Sequence, residues 1–167
     1  LVCFDRALVL DPKHVNAWYN KGLALNDSGR REEALACYDR VLALDPSDVR
    51  AWYNKGVALT KSGRWEEALV CYDRALALDP RFAQPWNNKG VVLDNLGRLE
   101  EALACYDHAL VLDPRFADAW FNKGTAFANL GRFQEALDCF TKVLEIAPSD
   151  EGVKQAIAIC RQKLHRG

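Results

Sequence analysis

The chain reads as an all-α solenoid of stacked helix pairs. Three observations predict this: a strict 34-residue period, two helical runs of apolar residues inside each period, and Gly and Pro at fixed places in it. Val15–Asp48, Val49–Phe82, Ala83–Phe116 and Ala117–Asp150 align without a gap. Trp recurs at Trp18, Trp52, Trp86 and Trp120, and Gly at Gly22, Gly56, Gly90 and Gly124. Glu recurs at Glu33, Glu67, Glu101 and Glu135, and Pro closes each unit at Pro46, Pro80, Pro114 and Pro148.

Within Val15–Asp48, Ala17, Trp18, Lys21, Gly22, Ala24 and Leu25 have helical spacing and define a first helix, A. Gly29 can take the left-handed conformation that ends it. Glu32 and Glu33 then open a second helix, B, where carboxylates meet the positive end of the dipole. Ala34, Leu35, Tyr38, Val41, Leu42 and Leu44 form its apolar stripe. Asp45-Pro46 stops it, and Asp48 is placed to cap the next helix. Gly22 and Ala34 remove bulk where A and B cross, and Trp18 and Tyr38 fill the space around the crossing. Pro85 falls in the first turn of its helix, where a missing N–H costs little.

The ends differ. Residues 1–14 match only a helix B and its exit: Cys3, Phe4, Ala7, Leu8, Asp11 and Pro12 align with Cys37, Tyr38, Val41, Leu42, Asp45 and Pro46. Residues 151–167 hold one helix, Glu151–Arg166, whose stripe of Val153, Ile157, Cys160 and Leu164 suits a solvating cap. The expected organisation is a single array: a half repeat over 1–14, repeats at 15–48, 49–82, 83–116 and 117–150, and the cap at 151–167. The chain has no Met and opens inside an amphipathic pattern, which reads as a piece of a longer protein. Leu1, Phe4, Ala7 and Leu8 then lack a helix A to cover them, and weak self-association through Leu1–Leu10 is expected.

These residues resemble the tetratricopeptide repeat. Trp18, Gly22, Leu25, Ala34, Tyr38, Val41 and Pro46 stand where that family places its signature, and the other three units match equally well. The resemblance implies a right-handed superhelix with helix A inside and helix B outside. Two positions depart from it: Lys21, Lys55, Lys89 and Lys123 replace a usual Leu, and Leu25, Leu59, Leu93 and Phe127 a frequent Tyr. The lysines are expected to snorkel to water or to a carboxylate.

Charge is balanced, with 22 basic and 23 acidic residues, so no basic excess points to nucleic acid. No apolar run is long enough to cross a bilayer. Cys3, Cys37, Cys71, Cys105 and Cys139 recur one period apart. Stacked helices lie roughly 8–10 Å apart, beyond the roughly 7 Å Cα separation that a disulfide allows. Free thiols favour a reducing, cytoplasmic compartment. No catalytic constellation, metal site or cofactor motif emerges. Cys105 and His108 are half a metal site at most, with no further ligand near them in the pattern.

The resemblance makes the inner face of the A helices the binding surface for a protein or peptide. Asn20, Asn54, Asn88 and Asn122 form a ladder of amides that could satisfy a peptide backbone. Tyr19, Tyr53, Asn87 and Phe121 stand beside it, over a shallow stripe of Leu23, Val57 and Val91. Arg50 and Lys61 against Asp27, Asp94 and Asp118 leave the face near neutral. Relatives that bind chaperone tails clamp a terminal carboxylate with Lys and Arg; here Tyr19, Leu23 and Asn88 occupy those places, so such tails are not expected. The expected role is a protein-interaction scaffold. The second reading is the recruiting or sensing module of a larger enzyme, such as a glycosyltransferase or a signalling ATPase.

Overall fold

The computed structural model describes residues 1–165, so Arg166, the last residue of the expected final helix, and Gly167, the last of the expected cap, lie outside the described residues. All regular structure among the described residues is α-helical. The chain divides into two compact units, Leu1–Pro80 and the part from Arg81 onward. The first holds α1 (Val2–Leu10), α2 (Val15–Asp27), α3 (Arg31–Leu44), α4 (Val49–Lys61) and α5 (Trp65–Leu78). The second holds α6 (Ala83–Asn95), α7 (Leu99–Leu112), α8 (Ala117–Asn129), α9 (Phe133–Ile146) and α10 (Glu151–Leu164). The pairs α2–α3, α4–α5, α6–α7 and α8–α9 pack most extensively.

Each pair closes on one contact. A Cβ added at Gly22 would lie 2.7 Å from the Tyr38 ring, at Gly56 2.6 Å from Tyr72, at Gly90 2.5 Å from Tyr106, and at Gly124 2.7 Å from Phe140. Tyr38, Tyr72 and Tyr106 are fully buried there, beside Ala34, Ala68 and Ala102. Leu25, Leu59, Leu93 and Phe127 are buried one turn further along the A helices, so the departure from the family's frequent Tyr keeps an apolar filler.

The A-to-B turn repeats too. Gly29, Gly63, Gly97 and Gly131 take φ between 72° and 79°. The next N–H then reaches back five residues: Arg30 N to Leu25 O at 2.9 Å and Arg98 N to Leu93 O at 2.8 Å. This is the Schellman closure that only a left-handed residue permits. The arginine that follows has no capping side chain of its own. It forks onto the glutamate three residues later instead, Arg30 to Glu33 at 2.7 Å through both Nε and Nη2. The glutamates expected to meet the helix dipole are thus held by an arginine as well.

The B-to-A exit is fixed by Asp and Trp. Asp45 Oδ1 accepts from Ser47 N at 2.9 Å and Asp113 Oδ1 from Arg115 N at 2.9 Å, the local turn that an Asx side chain makes with its own backbone. Trp18 Nε1 donates to Pro12 O at 3.0 Å, Trp52 to Pro46 O at 2.9 Å and Trp120 to Pro114 O at 3.0 Å. The tryptophans expected as packing residues are therefore also hydrogen-bonded clasps on the turn. Asp48 accepts from Ala51 N, as its capping position predicts.

At α1 the structure corrects which residues face water. Leu8 is buried and Phe4 and Ala7 are half-buried, because α1 packs on α2 through the face that α3 turns to α4. The open residues are Val2, Val9 and Leu10, at 65%, 81% and 88% exposure, with Leu1 at 42%.

The glycine–ring contact sets a stability prediction. Gly56→Ala places a methyl group inside the contact distance of the fully buried Tyr72 ring. Alanine's better helix propensity offsets about 1 kcal/mol of this, and overpacking costs typically about 1–3 kcal/mol. The variant is expected to unfold at lower urea concentration than the parent, by circular dichroism. A midpoint at or above the parent's would show that the ring gives way.

Candidate functional site

The first helices of the pairs carry the expected binding face, and the structure shows which of its polar atoms are committed. In the first unit, Asn54 Nδ2 donates to Tyr19 Oη at 2.9 Å and to Arg50 O at 2.9 Å. Both amide hydrogens are used, so Asn54 presents only its carbonyl oxygen. Arg50 lies 4.7 Å over the Tyr19 ring and forks onto Asp48 at 2.8 and 3.3 Å. Tyr19 is thus covered by a cation and bonded at its hydroxyl, where an open apolar face was expected. Asn20 is exposed and has no side-chain hydrogen-bond partner among the described residues. Its neighbour across the stack would be an earlier A helix, which the half repeat does not supply. Tyr53, Leu23 and Val57 are half-buried, and Lys61 is exposed.

In the second unit the same register appears with different atoms. Asn122 Nδ2 donates to Asn87 Oδ1 at 3.1 Å, across 35 residues as in the Tyr19–Asn54 bond. Asn87 Nδ2 lies 3.2 Å from Asn88 Oδ1. Asn87 is only 5% exposed, a correction to its expected place as a contact residue: it belongs to the joint between helices. Asn26 is likewise buried. Phe121 is the open aromatic, 38% exposed, its inner edge against Phe140 at 5.7 Å between centroids. Val91 is half-buried beside it.

Two turns along the A helices a second polar row runs Asn26, Thr60, Asp94 and Ala128. Two of these positions reach a second-helix ring: Thr60 bonds Tyr72, and Asp94 acts electrostatically on Tyr106. Thr60 Oγ1 and Tyr72 Oη are 3.0 Å apart. Tyr106 Oη and Tyr38 Oη are buried without a partner, as is Asn26 Oδ1. Burial pushes the Asp94 carboxyl above the usual carboxylate range, and a hydrogen bond from Asn129 only partly offsets it.

The lysines that depart from the family pattern have a structural role. Lys21 Nζ meets Asp5 at 2.7 Å, Lys55 meets Asp39 at 2.6 Å and Lys123 meets Asp107 at 2.5 Å, each on the preceding second helix. The same ammonium groups lie 5.4–5.8 Å over the rings of Trp18, Trp52 and Trp120. At the C-terminal end the equivalent pair is Thr141 and Ile157, and Ile157 is buried. Of the two fates expected for these lysines, the carboxylate is the one observed. Shallow recesses open beside this pair, one of about 300 Å³ by Trp120, Lys123 and Phe127.

Among the described residues no group of three or more His, Cys, Asp or Glu could hold a metal ion. His108 stacks on Trp86 at 4.5 Å, and His14 caps α2 by accepting from Ala17 N. All six cysteines are free; Cys3 is exposed and the others are buried. No helix among the described residues is long and apolar enough to cross a membrane.

Helix pairs of one length, closed by one glycine–ring contact and joined by one turn, define a tandem helix-repeat protein. Models of the tetratricopeptide repeat match residues 49–82 and 117–150, 22–63 and 95–131, and 3–36 and 71–104, which together span 3–150. The chain belongs to the tetratricopeptide repeat family. No curated protein matches it. Among solved structures it is similar to MamA 41-end from Desulfovibrio magneticus RS-1, at 26% identity and TM-score 0.81, covering 89% of this chain and 84% of that one. It is also similar to YrrB, described as a TPR protein with an unusual peptide-binding site, at 26% identity and TM-score 0.79, covering 97% and 84%. The first TPR of Spaghetti (RPAP3), bound to an HSP90 peptide, shares the fold at 23% identity and TM-score 0.69, covering 72% and 96%.

The thiols supply a chemical test. Burial raises the Cys71 and Cys139 thiols to about 11, far from the thiolate form at neutral pH. Alkylation of the native protein should modify Cys3 quickly and the five buried cysteines only under denaturant. Rapid native modification of Cys71 or Cys139, located by peptide mass mapping, would contradict the burial.

Proposed function

We propose that this chain is a protein-interaction scaffold that holds an extended or helical segment of a partner protein against the faces of its first helices. One observation carries the reading. In the second unit an open aromatic, Phe121, stands on the first-helix face with half-buried Val91 and the Asn122 amide oxygen, and in the first unit the same face carries half-buried Leu23 and Val57 with the Asn54 oxygen. Exposed aromatics above an apolar floor are where binding energy concentrates. The peptide-binding site of YrrB, a similar structure, supports the same reading. Asn20, Asn54 and Asn122 contribute their carbonyl oxygens, and Asn88, whose oxygen accepts from Asn87, borders the face with Tyr53, Arg50 and Lys61. Residues 1–167 act as one array in this proposal. The free, mostly buried thiols support a reducing, cytoplasmic compartment.

Random dodecapeptides displayed on phage and selected against the whole protein test the reading. Peptides are expected to be enriched, and Phe121→Ala should weaken the best of them by roughly 2 kcal/mol. Absence of enrichment, or equal affinity for Phe121→Ala, would refute it.

The open apolar residues of α1 support weak self-association at that helix. Sedimentation of the protein and of a Val2→Glu, Val9→Glu variant should show concentration-dependent association in the first alone. A parent that stays monomeric at high concentration would rule this out.

A further inference from the structure

We infer that the second unit holds a seat for a basic side chain of the bound segment, a Lys ammonium or Arg guanidinium placed on Asp94. This rests on the peptide-binding reading and narrows it to a chemical class.

Asp94 differs from the other charged positions around it. Asp5, Asp39 and Asp107 each hold a lysine, and Glu33, Glu67, Glu101 and Glu135 each hold an arginine. Asp94 is half-buried on α6 and is bonded by the neutral amide of Asn129 on α8, and among the described residues no cation pairs with it. A half-buried carboxylate left in this state is costly unless a charged donor completes it.

The second observation is the hydroxyl beside it. The Tyr106 ring lies against Gly90, one turn before Asp94, and Asp94 acts electrostatically on its phenol. In the first unit the equivalent atoms, Thr60 Oγ1 and Tyr72 Oη, meet at 3.0 Å. Tyr106 Oη is fully buried, feels the Asp94 charge, and has no hydrogen-bond partner among the described residues. A carboxylate offers about four lone-pair sites, and Asn129 uses one. The rest can take donors from a ligand and from the phenol together. Asn129 is exposed, so the seat is open on the side where a segment would lie.

The surrounding atoms favour a donor-rich ligand. Within the second unit Asn122 has given one amide hydrogen to Asn87 and Asn129 donates to Asp94, which leaves the Asp94 carboxylate and the Asn122 oxygen as acceptors. Phe121, on the same α6–α8 pair, supplies the apolar contact. A segment with one apolar and one basic side chain satisfies both places.

The dodecapeptide selection decides this when Asp94→Asn is carried beside the parent and Phe121→Ala. Enriched peptides should share Lys or Arg at one fixed position. The best synthetic peptide should bind Asp94→Asn about tenfold more weakly, while its Lys→Gln analogue should bind parent and variant alike. Asp94→Asn should also melt about 2 °C higher at neutral pH, because an unpaired half-buried charge has been removed. This separates loss of the seat from loss of the fold. Enrichment without a fixed basic residue, undiminished binding by Asp94→Asn, or a lower melting temperature would each overturn the seat while leaving the peptide-binding reading intact. No enrichment at all, or indifference to Phe121→Ala, would remove that reading and the seat with it.

Discussion

The backbone of each first helix touches an aromatic ring of its partner at a single glycine, and much of the rest follows from that approach. No side chain larger than hydrogen leaves room for Tyr38, Tyr72, Tyr106 or Phe140. The short distance brings the two helices close enough for a three-residue turn, which in turn requires the left-handed Gly29, Gly63, Gly97 and Gly131. It also carries the Tyr72 phenol to the level of the next turn of its first helix. Thr60 meets a hydroxyl, and Asp94 acts on a phenol that has no hydrogen-bond partner among the described residues.

Packing between successive pairs uses a different device. A lysine sits over the tryptophan of its own helix and reaches an aspartate on the helix before. Partly exposed ion pairs of this sort add little to stability by themselves. They set register, because the ammonium has one ring beneath it and one carboxylate within reach. The amide bonds Asn54 to Tyr19 and Asn122 to Asn87 fix the same register on the opposite edge of the first helices. Where the lysine gives way to Ile157 and the aspartate to Thr141, an apolar contact takes over and α10 turns its charges to water.

Much of the fold was legible in the chain. The recurrence of Gly22, Tyr38, Gly29 and Pro46 locates both helices, the crossing and both turns, and α10 differs from expectation only at its last residues. The face was legible as a set of positions but not as a set of available atoms. Asn54 and Asn122 look alike in the alignment, yet one has lost both donors and the other one. Tyr19 reads as an open ring and is covered by Arg50. Asn87 reads as a contact residue and is buried. At α1 the exposed stripe was placed on Phe4, Ala7 and Leu8, because the neighbouring helix that covers them comes later in the chain.

By itself the sequence determined the repeat length, the helix pairs, their turns and the family, since each depends on residues within one period: a glycine without a Cβ, a proline without an N–H, an apolar stripe at helical spacing. Tertiary structure alone decided which polar groups remain for a ligand. Those bonds join residues 35 apart, and whether a donor is used depends on the side chain in the neighbouring repeat. That is why four matching asparagines need not be equivalent, and why Asp94 stands out only once its surroundings are known.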